Sequence, residues 1–243
     1  MSKPLSRVVE SAHWLLTDRE MTLVLSSIIR EEDVTRAKYY IQAAEYHKEL
    51  LMDYYKQFEL KQKMLENRIQ KAIIPEIPIL CIGDEHIIYM YFEFNSIVYS
   101  LRSFLDALLP LIQPIFKTNL PSSMNEFMKK TEKYLPKKES EIAILIKRLQ
   151  RDWELYGNNI KLYRDLITHY CHITGSEKSL AQHCIRMEGK TYIMLPDNPE
   201  ANSYKKMRFK KKIQVVDFAK ESLLLAKSEY QFIIDYLYNK YHI

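Results

Sequence analysis

Ala37-Lys38-Tyr39-Tyr40-Ile41-Gln42-Ala43-Ala44-Glu45-Tyr46-His47 is the stretch on which the reading of the fold turns. Ala37, Tyr40, Ile41, Ala44 and His47 recur at the spacing of one face of an α-helix. The helical stretch then continues through Leu51, Tyr54, Phe58, Met64, Leu65 and Ile69. Read outward, the pattern gives helix almost throughout 18–72, with Asp18 as a cap before Arg19-Glu20 and Glu31-Glu32-Asp33 as a break or restart. A helix this long without a glycine is one side of an elongated bundle or a coiled-coil arm.

Further along, Pro75 and Pro78 close this region and Ile79-Leu80-Cys81-Ile82-Gly83 forms a short apolar loop or strand. A second helix is expected from about Asp84 to Leu109, ended or kinked by Pro110 and Pro114. Pro121-Ser122-Ser123 starts a short helix to about Tyr134, and a long helix over 138–156 places Ile142, Leu145, Ile146, Leu149, Trp153 and Tyr156 on one face. Gly157-Asn158-Asn159 reads as a turn or a tolerated irregularity before helix 160–172, which Gly175-Ser176 stops. The period then changes. Thr191 to Leu195, a Pro/Asp/Asn loop, and Met207 to Val216 read as a β-hairpin, before a last helix over about 217–241.

Composition agrees with a helical chain. Only four of the 243 residues are glycine, which disfavours glycine-rich phosphate loops and Rossmann or sandwich folds. Tyrosine is abundant at 18, a residue that serves both at the edge of a core and as a base-stacking ring. Cys81, Cys171 and Cys184 show no repeated spacing, which fits a reducing cytoplasm better than a disulfide framework. No apolar run reaches the roughly 18 residues of a membrane span. Met1-Ser2-Lys3-Pro4, followed by His13, Asp18, Arg19 and Glu20, is unlike a signal peptide. The expectation is a soluble cytoplasmic protein that meets no membrane.

The net charge of +5 permits a polyanionic partner without requiring one. Locally, Lys205, Lys206, Arg208, Lys210, Lys211 and Lys212 make a concentrated cationic run. As the second strand of the hairpin, it would turn Lys206, Arg208, Lys210 and Lys212 to one face, a grip for phosphates or a lysine-protected edge. Asn95, Tyr99, Arg102 and Asp106 make a polar stripe at steps of four, three and four along the second helix. That stripe suits a groove or an exposed face with a local ion pair. His169, Cys171, His172, His183 and Cys184 lack the paired spacing of a zinc site, and no metal or other cofactor is expected. Walker, nucleophile-elbow, His-Glu-x-x-His and kinase signatures are absent.

The chemistry concentrates in Tyr163-Arg164-Asp165-Leu166-Ile167-Thr168-His169-Tyr170. Asp165 and His169 stand four apart and share a helical face, so the carboxylate could orient the imidazole. Arg164 lies about 140° around the axis from His169 and reaches the same phosphate only by swinging across or from a second copy. The same residues could instead serve as an ordinary ion pair and a dipole-favoured terminal histidine.

An arginine, a polar residue, then a histidine near the end of a late helix resembles the signature of the HEPN superfamily, carried here by Arg164, Asp165 and His169. The resemblance covers roughly 84–243. It implies an all-α, HEPN-like helical bundle over 84–243; the β-hairpin insertion at about 190–215 and the N-terminal helical extension over 1–83 come from the sequence pattern and are not general features of that family. It further implies a homodimer and a metal-independent endoribonuclease of toxin or phage-defence type, with RNA as substrate and an antitoxin protein as a partner. His169 would be the general acid/base, Arg164 would stabilise the phosphate and Asp165 would fix the imidazole. Asn95, Tyr99, Arg102, Lys206, Arg208, Lys210 and Lys212 would contact the RNA. The alternative is a non-catalytic HEPN-like nucleotide-binding or protein-interaction module.

Overall fold

The computed structural model describes residues 28–71, 85–136, 140–169, 184–187, 190–201 and 206–241. The expectations for Asp18, for 72–83, for the end of helix 160–172 and for Lys205 lie outside these residues. The described chain is mostly helical with one small antiparallel sheet.

Helix α1 spans Glu31–Lys71, its first turn carrying Glu31, Glu32 and Asp33, which suit the positive end of a helix dipole. Helix α2 spans Glu85–Ile112 and is the central element. It is apolar around most of its circumference, and Ile87, Met90, Phe94, Leu101, Phe104 and Leu108 are all buried. It also runs through Pro110, past the end expected at Leu109. A proline inside a helix costs about 3 kcal/mol. The buried Leu108, Leu109, Leu111 and Ile112 around it are each worth roughly 1.5–3 kcal/mol, so burial decides the outcome.

Helix α3 (Met124–Lys129) starts at Ser123, whose Oγ accepts from the Glu126 amide at 3.2 Å. Helix α4 (Glu141–Asp152) starts at Ser140 in the same way. It passes through a single π turn, Trp153–Gly157, directly into α5 (Asn158–His169). Gly157 therefore marks a widened turn within a continuous helix. A Cβ there would stand 2.7 Å from Cε3 of Trp153, so only glycine lets the indole lie over this turn undisturbed.

Strands β1 (Cys184–Met187) and β2 (Lys190–Leu195) form a hairpin with Cys184 opposite Ile193 and Met187 opposite Lys190. Strand β3 (Ile213–Gln214) pairs only with the end of β2, and α6 (Val215–Tyr241) follows at once. This corrects the expected ribbon. Residues 206–212 form no strand, because Asp197 and Asn198 side chains capture the amides of Arg208, Lys210 and Lys211 that a ladder would use. The alternating cationic face is therefore not formed. Lys212, at φ 52°, makes the left-handed bend that leads into β3.

The helices share one core. His47 meets Glu93 and Tyr54 meets Tyr89, so α1 lies antiparallel to α2. Val34, Ala37, Ile41, Ala44, Leu51 and Phe58 of α1 join the same buried cluster as α2, α4, α5 and α6. Tyr55 of α1, Tyr91 of α2 and Tyr163 of α5 donate to the carbonyls of Thr191, Met194 and Pro196 at 2.8, 3.0 and 2.8 Å. Three helices thus hold one short stretch of backbone.

Candidate functional site

Helix α5 buries Ile160, Tyr163 and Leu166 and leaves Arg164, Asp165, Thr168 and His169 toward solvent. The exposure follows from the three-residue spacing of its apolar positions. Asp165 Oδ1 accepts from Arg164 Nη1 at 3.0 Å, and Asp165 Oδ2 lies 3.0 Å from Lys161 Nζ. Partial burial pushes the Asp165 carboxyl up, but its bonds to Lys161 and Arg164 outweigh that and hold it below the usual carboxylate range. Both carboxylate oxygens thus have cationic partners, and Asp165 holds the Arg164 guanidinium. Lys161 escaped the sequence reading, although its i,i+4 spacing to Asp165 was a usable signal.

The polar stripe on α2 divides in two. Tyr99 reaches α5: its hydroxyl is 2.7 Å from Thr168 Oγ1, beside His169. Thr168 spends its own proton on the Arg164 carbonyl at 2.8 Å, so the Tyr99 phenol is the donor. Asn95 carries a buried Oδ1 with no partner. Arg102 binds Asp106 at 2.5 Å, and Asp106 also accepts from the Met124 amide at 2.7 Å. Those last two residues tie the start of α3 to α2.

The cationic segment comes next to α5 by a short route. Tyr163, immediately before Arg164, donates to the Pro196 carbonyl at 2.8 Å. Burial, then the charges of Asp197 and Glu200, push its phenol up, so it remains a donor at ordinary pH. The adjoining Asp197 carboxylate accepts from the amides of Lys210 at 2.7 Å and Lys211 at 3.0 Å. Asn198 accepts from the Arg208 amide at 2.8 Å and donates to the Lys206 carbonyl at 3.0 Å. The backbone of this loop is fixed, while Lys206, Arg208, Lys210, Lys211 and Lys212 are exposed. Nothing local in the sequence marks Asp197 and Asn198 as its anchors.

Aromatic surface accompanies these groups. Tyr89, Phe92 and Tyr99 on α2 are 42%, 55% and 41% exposed, at steps of three and seven along the helix. Among the described residues no group of three or more histidine, cysteine or acidic side chains is arranged to hold a metal ion. No described helix is long and apolar enough to cross a membrane. No family model matches the chain, and no curated protein or solved structure matches it.

Proposed function

We propose that this chain binds RNA along α2, α5 and the 206–212 loop and cleaves it without a metal ion, as a HEPN-like endoribonuclease of toxin or phage-defence type. The observation that carries this reading is the Tyr163–Pro196 hydrogen bond. It ties the helix bearing Arg164 and His169 to a rigid loop of exposed cations. A cationic track beside exposed aromatic rings suits a single strand, whose phosphates meet the lysines and whose bases stack on Phe92 and Tyr99.

In the proposed reaction the ribose 2′-oxygen attacks the adjacent phosphorus and the bond to the 5′-oxygen breaks. This leaves a cyclic phosphate on one fragment and a 5′-hydroxyl on the other. His169 takes the 2′-hydroxyl proton or delivers one to the departing oxygen, the second copy supplying the complementary histidine in a homodimer. Arg164, held by Asp165, meets the charge that builds on the phosphoryl oxygens. Asp165 and Lys161 are positioning residues in this scheme. The cytoplasmic setting and a neutralising antitoxin belong to the same proposal.

The second reading is a non-catalytic nucleotide-binding or interaction module, and it rests on the Arg164–Asp165 pair as a surface ion pair. Incubation with total RNA in chelator separates the two. His169→Ala and Arg164→Ala each lower cleavage by about 100-fold or more, within the usual range for an acid/base or charge-stabilising group. Cleavage that survives both substitutions, or none by the unaltered chain, sinks the nuclease reading.

A further inference from the structure

An open cavity of about 510 Å³ lies away from α5, between the first turns of α1, the end of α2 and the loop before α3. Its volume is in the range of small-molecule sites. Arg36, Tyr40, Ser103, Pro110, Leu120 and Ser122 are among the residues that line it. None of these has a place in the RNA reading.

The walls are held in position before any ligand arrives. Gln113 donates to the Thr118 carbonyl at 3.1 Å and accepts from the Leu120 amide at 2.8 Å, which fixes the loop from within. Beyond the loop, Asp106 accepts from the Met124 amide at 2.7 Å and Ser123 caps α3. A preformed wall lowers the ordering cost that a small ligand must overcome.

The charges are unequal. The Asp106 carboxylate in this cavity is matched by Arg102 at 2.5 Å. Asp33, the acid beside Arg36, is bound by Arg30 at 2.8 and 3.0 Å and stands 3.8 Å from Arg36, outside hydrogen-bond range. The half-exposed Arg36 guanidinium therefore retains its donors. Across the cavity, Pro110 has no N–H to give to the Asp106 carbonyl four residues earlier, so that acceptor lacks its ordinary helical donor. Between the two, Tyr40, Pro110 and Leu120 offer ring-sized apolar surface.

We infer that this cavity binds a small ring-bearing organic anion, a carboxylate or a phosphate monoester. Its anionic end meets Arg36, its ring lies against Tyr40 and Pro110, and a donor on the ring faces the Asp106 carbonyl. Arginine suits both anions, because its planar fork pairs with carboxylate and phosphate oxygens alike. The two sources differ in size and charge, and the test distinguishes them.

The experiment is isothermal titration with ligand-observed NMR, using 4-hydroxybenzoate, adenosine 5′-monophosphate and uridine 5′-monophosphate, with neutral benzamide as control. One of the anions binds at millimolar affinity or better, and benzamide binds far more weakly. Arg36→Gln, on an exposed side chain, weakens that anion by roughly tenfold or more, the scale of a lost charge-assisted bond. Pro110→Ala gives the Asp106 carbonyl a helical donor, so it weakens binding while the melting temperature holds or rises. Binding of the benzoate alone assigns a carboxylate ligand, and binding of a nucleotide alone assigns a phosphate monoester. No binding by any anion at about 5 mM, equal binding of benzamide, or unchanged binding in Arg36→Gln overturns the proposal.

Discussion

Glu229 lies wholly inside the bundle, where the Tyr156 hydroxyl donates to its Oε2. Burial pushes its carboxyl up from 4.5 to about 8; the Tyr156 bond and Arg148 oppose the shift, and Asp152 adds to it. Asp152 is itself buried but paired with Arg148 at 2.6 Å and Arg151 at 3.2 Å. The folded protein holds the Glu229 proton more tightly than the unfolded chain. Its stability is therefore greatest below about pH 4.5 for this group and declines as pH rises toward about 8. Urea unfolding from pH 5 to 8.5 should show that decline, and Glu229→Gln should flatten it; an unchanged slope in the variant refutes the assignment. Tyr91 makes a second test at this scale. Its phenol is buried and bonded to the Met194 carbonyl, so Tyr91→Phe leaves an orphaned acceptor at a cost of about 1–3 kcal/mol. Neither partnership was legible in the sequence. Tyr156 and Glu229 are 73 positions apart, and no local pattern announces a tyrosine that bonds a strand carbonyl.

Elements were more legible where their signals are local. Ser123 with Glu126 and Ser140 with Ala143 start helices as their cap chemistry implies. Periodicity finds the buried Ala37, Ile41, Ala44, Leu51 and Phe58 of α1 and Leu145, Ile146 and Leu149 of α4, while Met64 and Leu65, further along α1, are exposed. At Pro110 and Gly157 the sequence left two outcomes open and tertiary packing chose between them: α2 runs on through Pro110, and Gly157 is the irregularity, a π turn in a continuing helix. The cationic ribbon failed for a different reason. Its alternation resembles a strand, but carboxylate and amide side chains near 197 bind its backbone in a loop. In the candidate site, the residues Arg164, Asp165, His169 and Tyr99 were legible as a set, while the direction of the Asp165 bonds was not. Asp197→Ala tests what the anchoring contributes. It removes a negative charge beside the lysines, which by electrostatics alone would tighten RNA binding. If a fixed loop is what RNA recognises, affinity falls instead, by an expected factor of about 3–10, with faster amide exchange at Lys210 and Lys211. Tighter binding with unchanged exchange shows that the anchoring is irrelevant.

At the scale of the whole molecule, α1 packs along α2 and reaches α6, with Lys227 Nζ 2.6 Å from Glu45 Oε1. Prolines and a change of pattern at 75–83 suggested a boundary in the sequence, but sequence spacing carries no information about which helices share a core. A chain of residues 84–243 alone would bare the α2 surface that Val34, Ile41, Leu51 and Phe58 cover. Each of those side chains is worth roughly 1.5–3 kcal/mol when buried, against total stabilities of about 5–15 kcal/mol. The shortened chain should unfold without a cooperative transition and bind a hydrophobic dye; a sharp transition would establish an independent unit. The three phenols that meet on the backbone from Thr191 to Pro196 have a related mechanical meaning. They act as struts from three different helices onto one tie-bar, and a hydrogen bond weakens steeply once its atoms part by more than about half an ångström. Sliding of α5 against α1 or α2 therefore pulls on the segment between them, and with it on Asp197, which anchors the lysine loop. A shift of α5 is thereby passed to the cationic loop beside it.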